Sequence, residues 1–364
     1  MALRIIALLI ALALAQAAAA QEEKRLNIYN WSDYIAEGTV PGFEKETGIK
    51  VNYDVYDSNE VLEAKLLAGH SGYDLVVPSA SPYLARQIAA GVYQKLDRAK
   101  LTRYGNLDPQ ILQSAAIADP GNQYGVPYMW GTTGIGYNPV KVKAALGDGA
   151  PTDSLKLLFD PANARKLAAC GIALLDSAQE IFPAALAYLG ADPLSRTPED
   201  LGRAAAVVEA IRPFVRKFHS SQYINDLANG DLCLAFGYSG DVLQARARAA
   251  DAKNGVEIAY TIPKEGAMLW IDMMAVPKDA PHAANALRFI DYVLRPEVAA
   301  AISNTVAYAN PNKAATAEVD PAIRDDPNVY PPEAVRARLF FDRPVTAQYE
   351  RARTRAWTRV KTGG

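Results

Sequence analysis

The chain beyond residue 25 alternates between two spacings of hydrophobic side chains, and these spacings predict strands and helices in turn. Residues 26–29 and 50–56 place hydrophobic side chains at every second position, which is typical of a half-buried strand. Residues 40–47 and 59–68 show helical spacing, and each run ends before a glycine. Residues 73–77 form a short apolar run that predicts a buried strand. Strands that alternate with helices indicate a parallel α/β sheet.

A second unit of the same kind follows in the middle of the chain. Residues 171–175 and 232–236 predict strands, and residues 180–189, 198–214 and 241–249 predict helices. The later chain shows both patterns again. Its predicted elements are strands at 256–262 and 268–276, helices at 281–294 and 297–303, a surface connection at 311–332, and an Arg-rich final helix that carries Trp357.

The size of the chain favours two lobes rather than one. A single core rarely extends beyond about 250–300 residues, and this chain has 364. No long flexible linker separates the two α/β units, so we expect them to face each other across a hinge. The predicted lobe 1 comprises residues 21–129 and 258–304, and the predicted lobe 2 comprises residues 130–257 and 305–364.

Residues 1–20 have the layout of a secretory signal peptide. Arg4 precedes an apolar run over residues 5–15, and the small residues Ala18 and Ala20 match the cleavage rule. A membrane anchor is the alternative, but a span would need roughly 20 apolar residues. Charged residues interrupt every later hydrophobic run. The sequence therefore predicts a soluble, exported protein whose first 20 residues are removed.

The charge and the reactive residue types argue against a nucleic-acid partner and against an enzyme. The chain has 38 Lys and Arg against 40 Asp and Glu, without the basic excess that nucleic acid favours. Its three histidines lack metal-ligand spacing, and the Gly-rich residues 131–136 match no nucleotide-binding loop. Residues 237–241 lack the second glycine of a nucleophile elbow. We therefore predict no catalytic residue, no metal and no cofactor.

The two cysteines, Cys170 and Cys233, allow three interpretations. An even count in an oxidising, exported compartment indicates one disulfide, which would close a loop of about 60 residues. Two free buried thiols are the second interpretation. A catalytic thiol is the third, because Cys170 and His219 could form a thiol–imidazole pair. The compartment favours the disulfide without excluding the other two.

Three loop segments place a carboxylate beside a large ring. Loops at the carboxyl ends of parallel strands are where open α/β sheets bind ligands. A carboxylate offers an alkyl ammonium a charge-assisted hydrogen bond, and a ring face offers cation–π attraction and a flat wall for methylenes. Each segment also has a structural explanation, since a Trp after a strand often packs in the core and Asp241 could cap the helix that follows. The segments are Trp31-Ser32-Asp33-Tyr34, Tyr238-Ser239-Gly240-Asp241 and Trp270-Ile271-Asp272.

Six motifs spread over nearly the whole chain occur in the order and spacing of a known family. They are residues 29–35 (YNWSDYI), 73–79 (YDLVVPS), 126–134 (VPYMWGTTG), 225–231 (NDLANGD), 237–241 (GYSGD) and 262–267 (IPKEGA). With them the chain resembles the periplasmic polyamine-binding proteins of bacterial ABC importers, the putrescine- and spermidine-binding group. The resemblance implies the two-lobed, type II periplasmic binding fold, an α/β fold that encloses its ligand between the lobes.

The resemblance also implies a ligand, partners and a set of site residues. Asp241 and Asp272 match the family's amine-binding carboxylates, and Glu180, which follows Gln179, matches a distal acidic position. The two cysteines match the pair that forms the family's disulfide. The implied partners are a polyamine and the permease subunits of an ABC importer, and the implied state is a periplasmic monomer. The implied ligand-binding residues are Trp31, Ser32, Asp33, Tyr34, Ser79, Glu180, Ser220, Tyr238, Asp241, Trp270, Asp272 and Tyr308.

Two ring positions bear on which polyamine binds. In the family that the chain resembles, putrescine binders commonly carry Trp where this chain has Tyr238, and Phe where it has Trp270. Spermidine-preferring members tend to carry Trp at the second position, so the pattern favours spermidine over strict putrescine binding. Three alternatives stay open: an amine-sensing module, an exported enzyme on the same fold, and a site for another cationic or amphipathic solute.

Overall fold

The computed structural model describes residues 22–363 of the chain. The predicted signal peptide, residues 1–20, lies outside the described residues. Within residues 22–363, no helix is both long enough and apolar enough to cross a membrane. Helices and short connections surround one sheet, whose strands come from the early, middle and late parts of the described chain.

The strands of the described chain form one mixed sheet. They are β1 Arg25–Trp31, β2 Lys50–Tyr56, β3 Leu75–Val76, β4 Gly125–Tyr137, β5 Ile172–Leu174, β6 Lys217–Phe218, β7 Leu234–Tyr238, β8 Ala259–Thr261, β9 Ala267–Ala275 and β10 Leu339–Phe341. Their order is β2-β1-β3-β9-β4-β7-β5-β6, with β8 beside β4 and β10 beside β9. β1 is parallel to β2 and β3, and β5 is parallel to β6 and β7.

The helices mostly begin and end close to where the hydrophobic spacing predicts them. A local reason is visible in the helix that begins at Pro198, where the Thr197 side chain accepts a hydrogen bond from the Asp200 backbone N–H and caps the helix. The α-helices are α1 Thr39–Thr47, α2 Asn59–Leu67, α3 Ala85–Ala89, α4 Pro109–Ala115, α5 Pro139–Leu146, α6 Lys156–Phe159, α7 Pro161–Leu167, α8 Ala178–Tyr188, α9 Pro198–Ile211, α10 Tyr223–Ala228, α11 Ser239–Ala252, α12 Ala283–Val293, α13 Pro296–Val306, α14 Pro321–Arg324, α15 Glu333–Arg336 and α16 Ala347–Thr362.

The centre of the sheet differs from the sequence prediction. The hydrophobic pattern gives no strand for β4, which is the 13-residue strand between β9 and β7 and runs antiparallel to both. The prediction of a parallel sheet is therefore wrong at the centre. Twelve of the 13 residues of β4 are buried, so no alternation of polar and apolar positions marks this strand in the sequence. Gly131 also has a packing role, because a Cβ there would lie 2.6 Å from Cζ2 of Trp270.

Two main hydrophobic clusters fill the interior. One contains Leu174 and Phe236, and the other contains Ile28. β4 contributes to both, since its neighbouring residues Met129 and Trp130 enter different clusters, as successive side chains of a strand point to opposite faces. β9 likewise contributes to both clusters. The residue boundaries predicted for the two lobes stay a prediction.

Cys170 and Cys233 form a disulfide, as predicted. Their Cα atoms are 5.4 Å apart. Cys170 lies just before β5 and Cys233 just before β7, and these neighbouring parallel strands pair Ile172 with Leu234. The interpretations that leave free or catalytic thiols are excluded in this structure, because both sulfur atoms are bonded to each other.

Candidate ligand-binding site

A cavity lies where the carboxyl ends of β1, β2 and β7 meet the middle of β9. Protein atoms leave about 530 Å³ unfilled there, including the opening to solvent. Its wall contains four carboxylates and, among the described residues, no Lys, Arg or His. Eleven of the twelve predicted site residues line it: Trp31, Ser32, Tyr34, Ser79, Glu180, Ser220, Tyr238, Asp241, Trp270, Asp272 and Tyr308.

Asp272 projects from β9 and is held by two hydroxyl groups. Ser79 donates to its Oδ1 at 2.7 Å, and Tyr34 donates to its Oδ2 at 2.9 Å. Asn59 fixes Ser79 in turn, since its side chain donates to the Ser79 hydroxyl and accepts from the Ser79 backbone N–H. Because a carboxylate can accept about four hydrogen bonds, Asp272 keeps capacity for a donor inside the cavity.

Asp241 is held in the same way by two tyrosines. Tyr308 donates to Oδ1 at 2.6 Å, and Tyr223 donates to Oδ2 at 2.7 Å. The helix α11 begins at Ser239, two residues before the predicted start, so Asp241 lies in the first turn rather than at the N-cap. The capping explanation for Asp241 is therefore wrong, and its carboxylate faces the cavity instead.

Aromatic rings form a connected wall around the two aspartates. Trp270 lies edge-on to Tyr238 and Tyr308, with ring centroids 5.8 and 5.1 Å apart. Tyr308 also lies edge-on to Tyr34 at 5.3 Å. Trp31 is held at the other side by a 2.8 Å hydrogen bond from its indole N–H to the Val77 carbonyl. These contacts join the rings into one wall and restrain their orientations.

Glu180 lies near the start of α8, and its carboxylate is less well supported. Its Oε2 is buried and has no hydrogen-bond partner among the described residues. Gln179 beside it does not line the cavity, and its side chain donates to the Ser81 carbonyl at 3.3 Å. Glu180 is therefore the member of the pair that faces the cavity.

Asp33 departs from the predicted set. It does not line the cavity, and its Oδ1 accepts a 2.6 Å hydrogen bond from Arg248 on α11. Its backbone has the left-handed φ of 54°, and 41% of its side chain is exposed. The physical reason for the departure is the neighbouring guanidinium, which already supplies the cation that the sequence assigned to the ligand.

Five further residues line the cavity that the sequence reasoning missed. Asp57 follows β2, so the rule that ligands bind at the carboxyl ends of parallel strands could have found it. Tyr223, which orients Asp241, lies outside the cavity, and its hydroxyl also accepts the backbone N–H of Tyr238 at 2.9 Å. A sequence gives no signal for such a supporting contact. The missed lining residues are Tyr56, Asp57, Asn59, Ser221 and Ile224.

Burial makes the cavity carboxylates hard to ionise in the absence of a cation. Burial raises the pKa of Asp241 to about 6 and that of Asp272 to about 7, although the bound hydroxyl groups oppose the rise. Burial raises the pKa of Glu180 to about 8, and the charges of Asp342 and Asp272 add to the rise. A cation placed among the three would favour their ionised forms.

The sequence and the fold match a known class of proteins. The family of bacterial extracellular solute-binding proteins matches residues 40–331. The chain belongs to this family, so the predicted family and its two-lobed, type II α/β fold are confirmed. Such a cavity can bind a ligand that presents cationic groups at its ends and apolar atoms between them.

Individual relatives are similar over almost the whole chain. The putrescine-binding periplasmic protein SpuD of Pseudomonas aeruginosa is 54% identical, with 99% of this chain and 98% of that protein covered. The putrescine-binding periplasmic protein PotF of Escherichia coli is 56% identical over 94% and 93%. The solved spermidine/putrescine ABC transporter substrate-binding protein PotD of Streptococcus pneumoniae has a TM-score of 0.75 and 27% identity, covering 93% and 99%.

Proposed function

We propose that this protein is a periplasmic solute-binding protein that captures a polyamine and delivers it to an ABC importer. The observation that carries the proposal is a pair of aspartates, the buried Asp272 and the partly buried Asp241, set among aromatic rings in one cavity. The names of the close relatives support the ligand class and the periplasmic location. We further propose that the protein acts as a monomer and turns over no substrate.

The two aspartates bind the ammonium groups. Each carboxylate holds two hydroxyl donors and keeps lone pairs for a third donor. An ammonium that leaves water without a partner costs several kcal/mol, so a cationic head needs a carboxylate at its final position. The charge-assisted hydrogen bond that results is about twice as strong as a neutral one.

The rings bind the carbon chain between the ammonium groups. Trp270, Tyr238, Tyr308 and Tyr34 present ring faces and edges to the cavity and exclude water from the methylenes. Each buried methylene contributes about 0.8 kcal/mol, and a ring near an ammonium adds roughly 0.5–2 kcal/mol. A ligand that lacks either the charges or the methylenes loses one of these two contributions.

The ligand also favours closure of the lobes. In the empty cavity burial makes Asp241, Asp272 and Glu180 costly to ionise and raises their pKa values, and the charge of Asp272 adds to the rise at Glu180. A polyamine removes that cost, so it stabilises the closed shape relative to an open one. The importer would then distinguish loaded from empty protein by shape.

Calorimetry on two isosteric variants tests the proposal. Asp241→Asn and Asp272→Asn should each weaken polyamine binding by about 2–5 kcal/mol, because one partner of a buried charge pair is lost. Asp291→Asn is the control for the loss of one carboxylate charge, since Asp291 pairs with the Arg103 side chain and lies outside the cavity. Unchanged binding in both cavity variants, or conversion of the polyamine to a product, would contradict the proposal.

A further inference from the structure

A row of four alternating charges connects helices that belong to opposite ends of the sheet. Glu63 on α2 accepts two hydrogen bonds from Arg86 on α3, and the one from Nε is 2.5 Å long. Nη1 of Arg86 lies 3.7 Å from Oε2 of Glu350 on α16, and Arg353 donates to that same oxygen at 2.6 Å. Glu350 therefore lies between an arginine of its own helix and an arginine from across the molecule.

Arg86 belongs to the end of the sheet that contains β1, β2 and β3. α2 connects β2 to β3, α3 follows β3, and both strands pair with β1. Tyr83 joins the two helices, because its hydroxyl donates to Glu60 at 2.5 Å and the Arg86 guanidinium lies 4.3 Å from its ring centroid. The pair with Glu63 uses Nε and Nη2 of Arg86, so Nη1 is the nitrogen that reaches α16.

Glu350 belongs to the other end of the sheet, which contains β5, β6 and β7. The Trp357 indole on α16 donates to Asp176, just after β5, at 2.8 Å. The Trp357 ring also packs edge-on against Phe182 of α8, with ring centroids 5.6 Å apart. These contacts hold α16 against the β5 end, so the contact of Arg86 with Glu350 links the two ends of the sheet.

The ligand cavity lies between the same two ends. Its wall takes Ser79 from the loop after β3 and Ser220 from the loop after β6. A second contact crosses close to the charge row, because Gln179 on α8 donates to the carbonyl of Ser81 at 3.3 Å, five residues before Arg86. A cavity whose wall comes from both ends opens when the ends separate. Contacts between the ends therefore oppose the release of a ligand.

The contact between Arg86 and Glu350 can break without leaving a buried charge unpaired. The two side chains are 28% and 30% exposed, so water can solvate both after separation. Glu63 stays with Arg86 on one side, and Arg353 stays with Glu350 on the other. A pair that lost its only partner in a dry interface would cost several kcal/mol. The charge row avoids this cost, as a reversible contact requires.

We propose that Glu350 is a positioning residue for ligand retention: through Arg86 it holds the two ends of the sheet together around a bound polyamine and slows its release. The inference rests on the proposed function. Neither Glu350 nor Arg86 lines the cavity, so neither touches the ligand. Their contact forms only after the two ends have approached, so it acts on the dissociation rate and leaves the association rate unchanged.

Stopped-flow release of putrescine and of spermidine, followed by tryptophan fluorescence, tests the inference. Glu350→Gln and Arg86→Gln should each raise the dissociation rate by about two- to fivefold, the range expected for a partly exposed ion pair. In the double variant the two effects should not multiply, because either substitution removes the same contact. Glu209→Gln is the matched control, since Glu209 on α9 pairs with Arg359 of α16 within the β5 end. This variant should release both amines at the parent rate.

The outcomes separate the inference from the proposed function. If the unmodified protein binds no polyamine, the proposed function fails and the inference fails with it. If polyamine binds but both variants release it at the parent rate, or if the two effects multiply in the double variant, the inference is overturned although the function stands. A denaturant midpoint lowered by Glu350→Gln without faster release would make Glu350 a purely structural residue. Should Glu350→Gln fold poorly, Arg86→Gln tests the same contact from the other end of the sheet.

Discussion

Arg248 on α11 donates a 2.6 Å hydrogen bond to Oδ1 of Asp33, in the loop after β1. The two residues are 215 positions apart in the sequence, so the ion pair joins distant parts of the chain beside the cavity. Both side chains are more than a third exposed. Exposed pairs of this kind contribute about 0.2–1 kcal/mol and are screened by salt.

This ion pair predicts a small, salt-dependent effect on binding. Asp33→Asn and Arg248→Gln should each weaken polyamine affinity by a few-fold at most, because the pair joins two segments beside the cavity and neither residue lines it. In a double-mutant cycle the coupling should shrink as salt rises from about 50 to 500 mM. A loss with Asp33→Asn as large as that with Asp241→Asn would instead make Asp33 a direct ligand contact.

Binding should depend on pH because the cavity carboxylates must ionise to pair with ammonium groups. Burial raises the pKa values of Asp241, Asp272 and Glu180 to about 6, 7 and 8, so a cationic ligand should displace protons from them in this pH range. Affinity should therefore fall as the pH is lowered from 8 to 5. Calorimetry in buffers of different ionisation enthalpy should show protons released on binding near pH 6–7.

The same raised pKa values make the free energy of unfolding change with pH in the opposite direction to ligand affinity. The unfolded chain ionises near pH 4, so between about pH 4 and 8 the closed, empty protein binds more protons than the unfolded chain. Its free energy of unfolding should fall as the pH rises through this window. Saturation with a polyamine should flatten the fall, and a pH series of denaturant titrations would measure both slopes. Equal slopes with and without ligand would argue against proton uptake in the cavity.

Gly240 should be required for the position of Tyr308. A Cβ at Gly240 would lie 2.5 Å from the Tyr308 ring. Gly240→Ala should therefore displace the ring and weaken the 2.6 Å hydrogen bond from the Tyr308 hydroxyl to Asp241. We expect polyamine affinity to fall roughly tenfold or more, about 1.4 kcal/mol. Gly202→Ala on α9 is the matched control, because a Cβ there meets nothing within 4 Å. The control should bind polyamine normally, and its free energy of unfolding should be about 0.5–1 kcal/mol higher.

The disulfide should contribute to stability rather than to recognition. Its cysteines are 63 residues apart, and closing a loop of that length stabilises by about 4 kcal/mol in the loop-entropy description. Replacing both cysteines by serine should lower the denaturant midpoint by a corresponding amount. Polyamine affinity of the remaining folded protein should be unchanged, since neither cysteine lines the cavity. Adding a reductant to the unmodified protein should reproduce the effect.

The sequence predicted most of the site because carboxylates and rings after strands are a visible local pattern. Asp241, Asp272, Trp270 and Trp31 belong to such segments, and all four line the cavity. What was missed depends on contacts between distant segments. The pairing of Asp33 with Arg248 is of this kind, and nothing local to Asp33 indicates it.

The fold shows the same division between local and distant information. Amphipathic elements such as β1 and α2 were predicted because buried residues alternate with less buried ones in β1 and recur at helical spacing in α2. β4 was missed because burial on both faces removes the polar positions that reveal a strand's period. The antiparallel direction of β4 follows from its neighbours in the sheet, which no local pattern encodes.

The absence of basic side chains from the described cavity wall affects which ligands the cavity excludes. Ornithine and lysine carry the same terminal amines as putrescine and cadaverine, but each also bears an α-carboxylate. That group would enter a dry space bounded by Asp57, Glu180, Asp241 and Asp272, with no Lys, Arg or His in the described lining to receive it. Like charges without a counter-ion cost several kcal/mol in such surroundings. We therefore expect the wall to disfavour free amino acids by repulsion, so that amines occupy the cavity even in a medium rich in both.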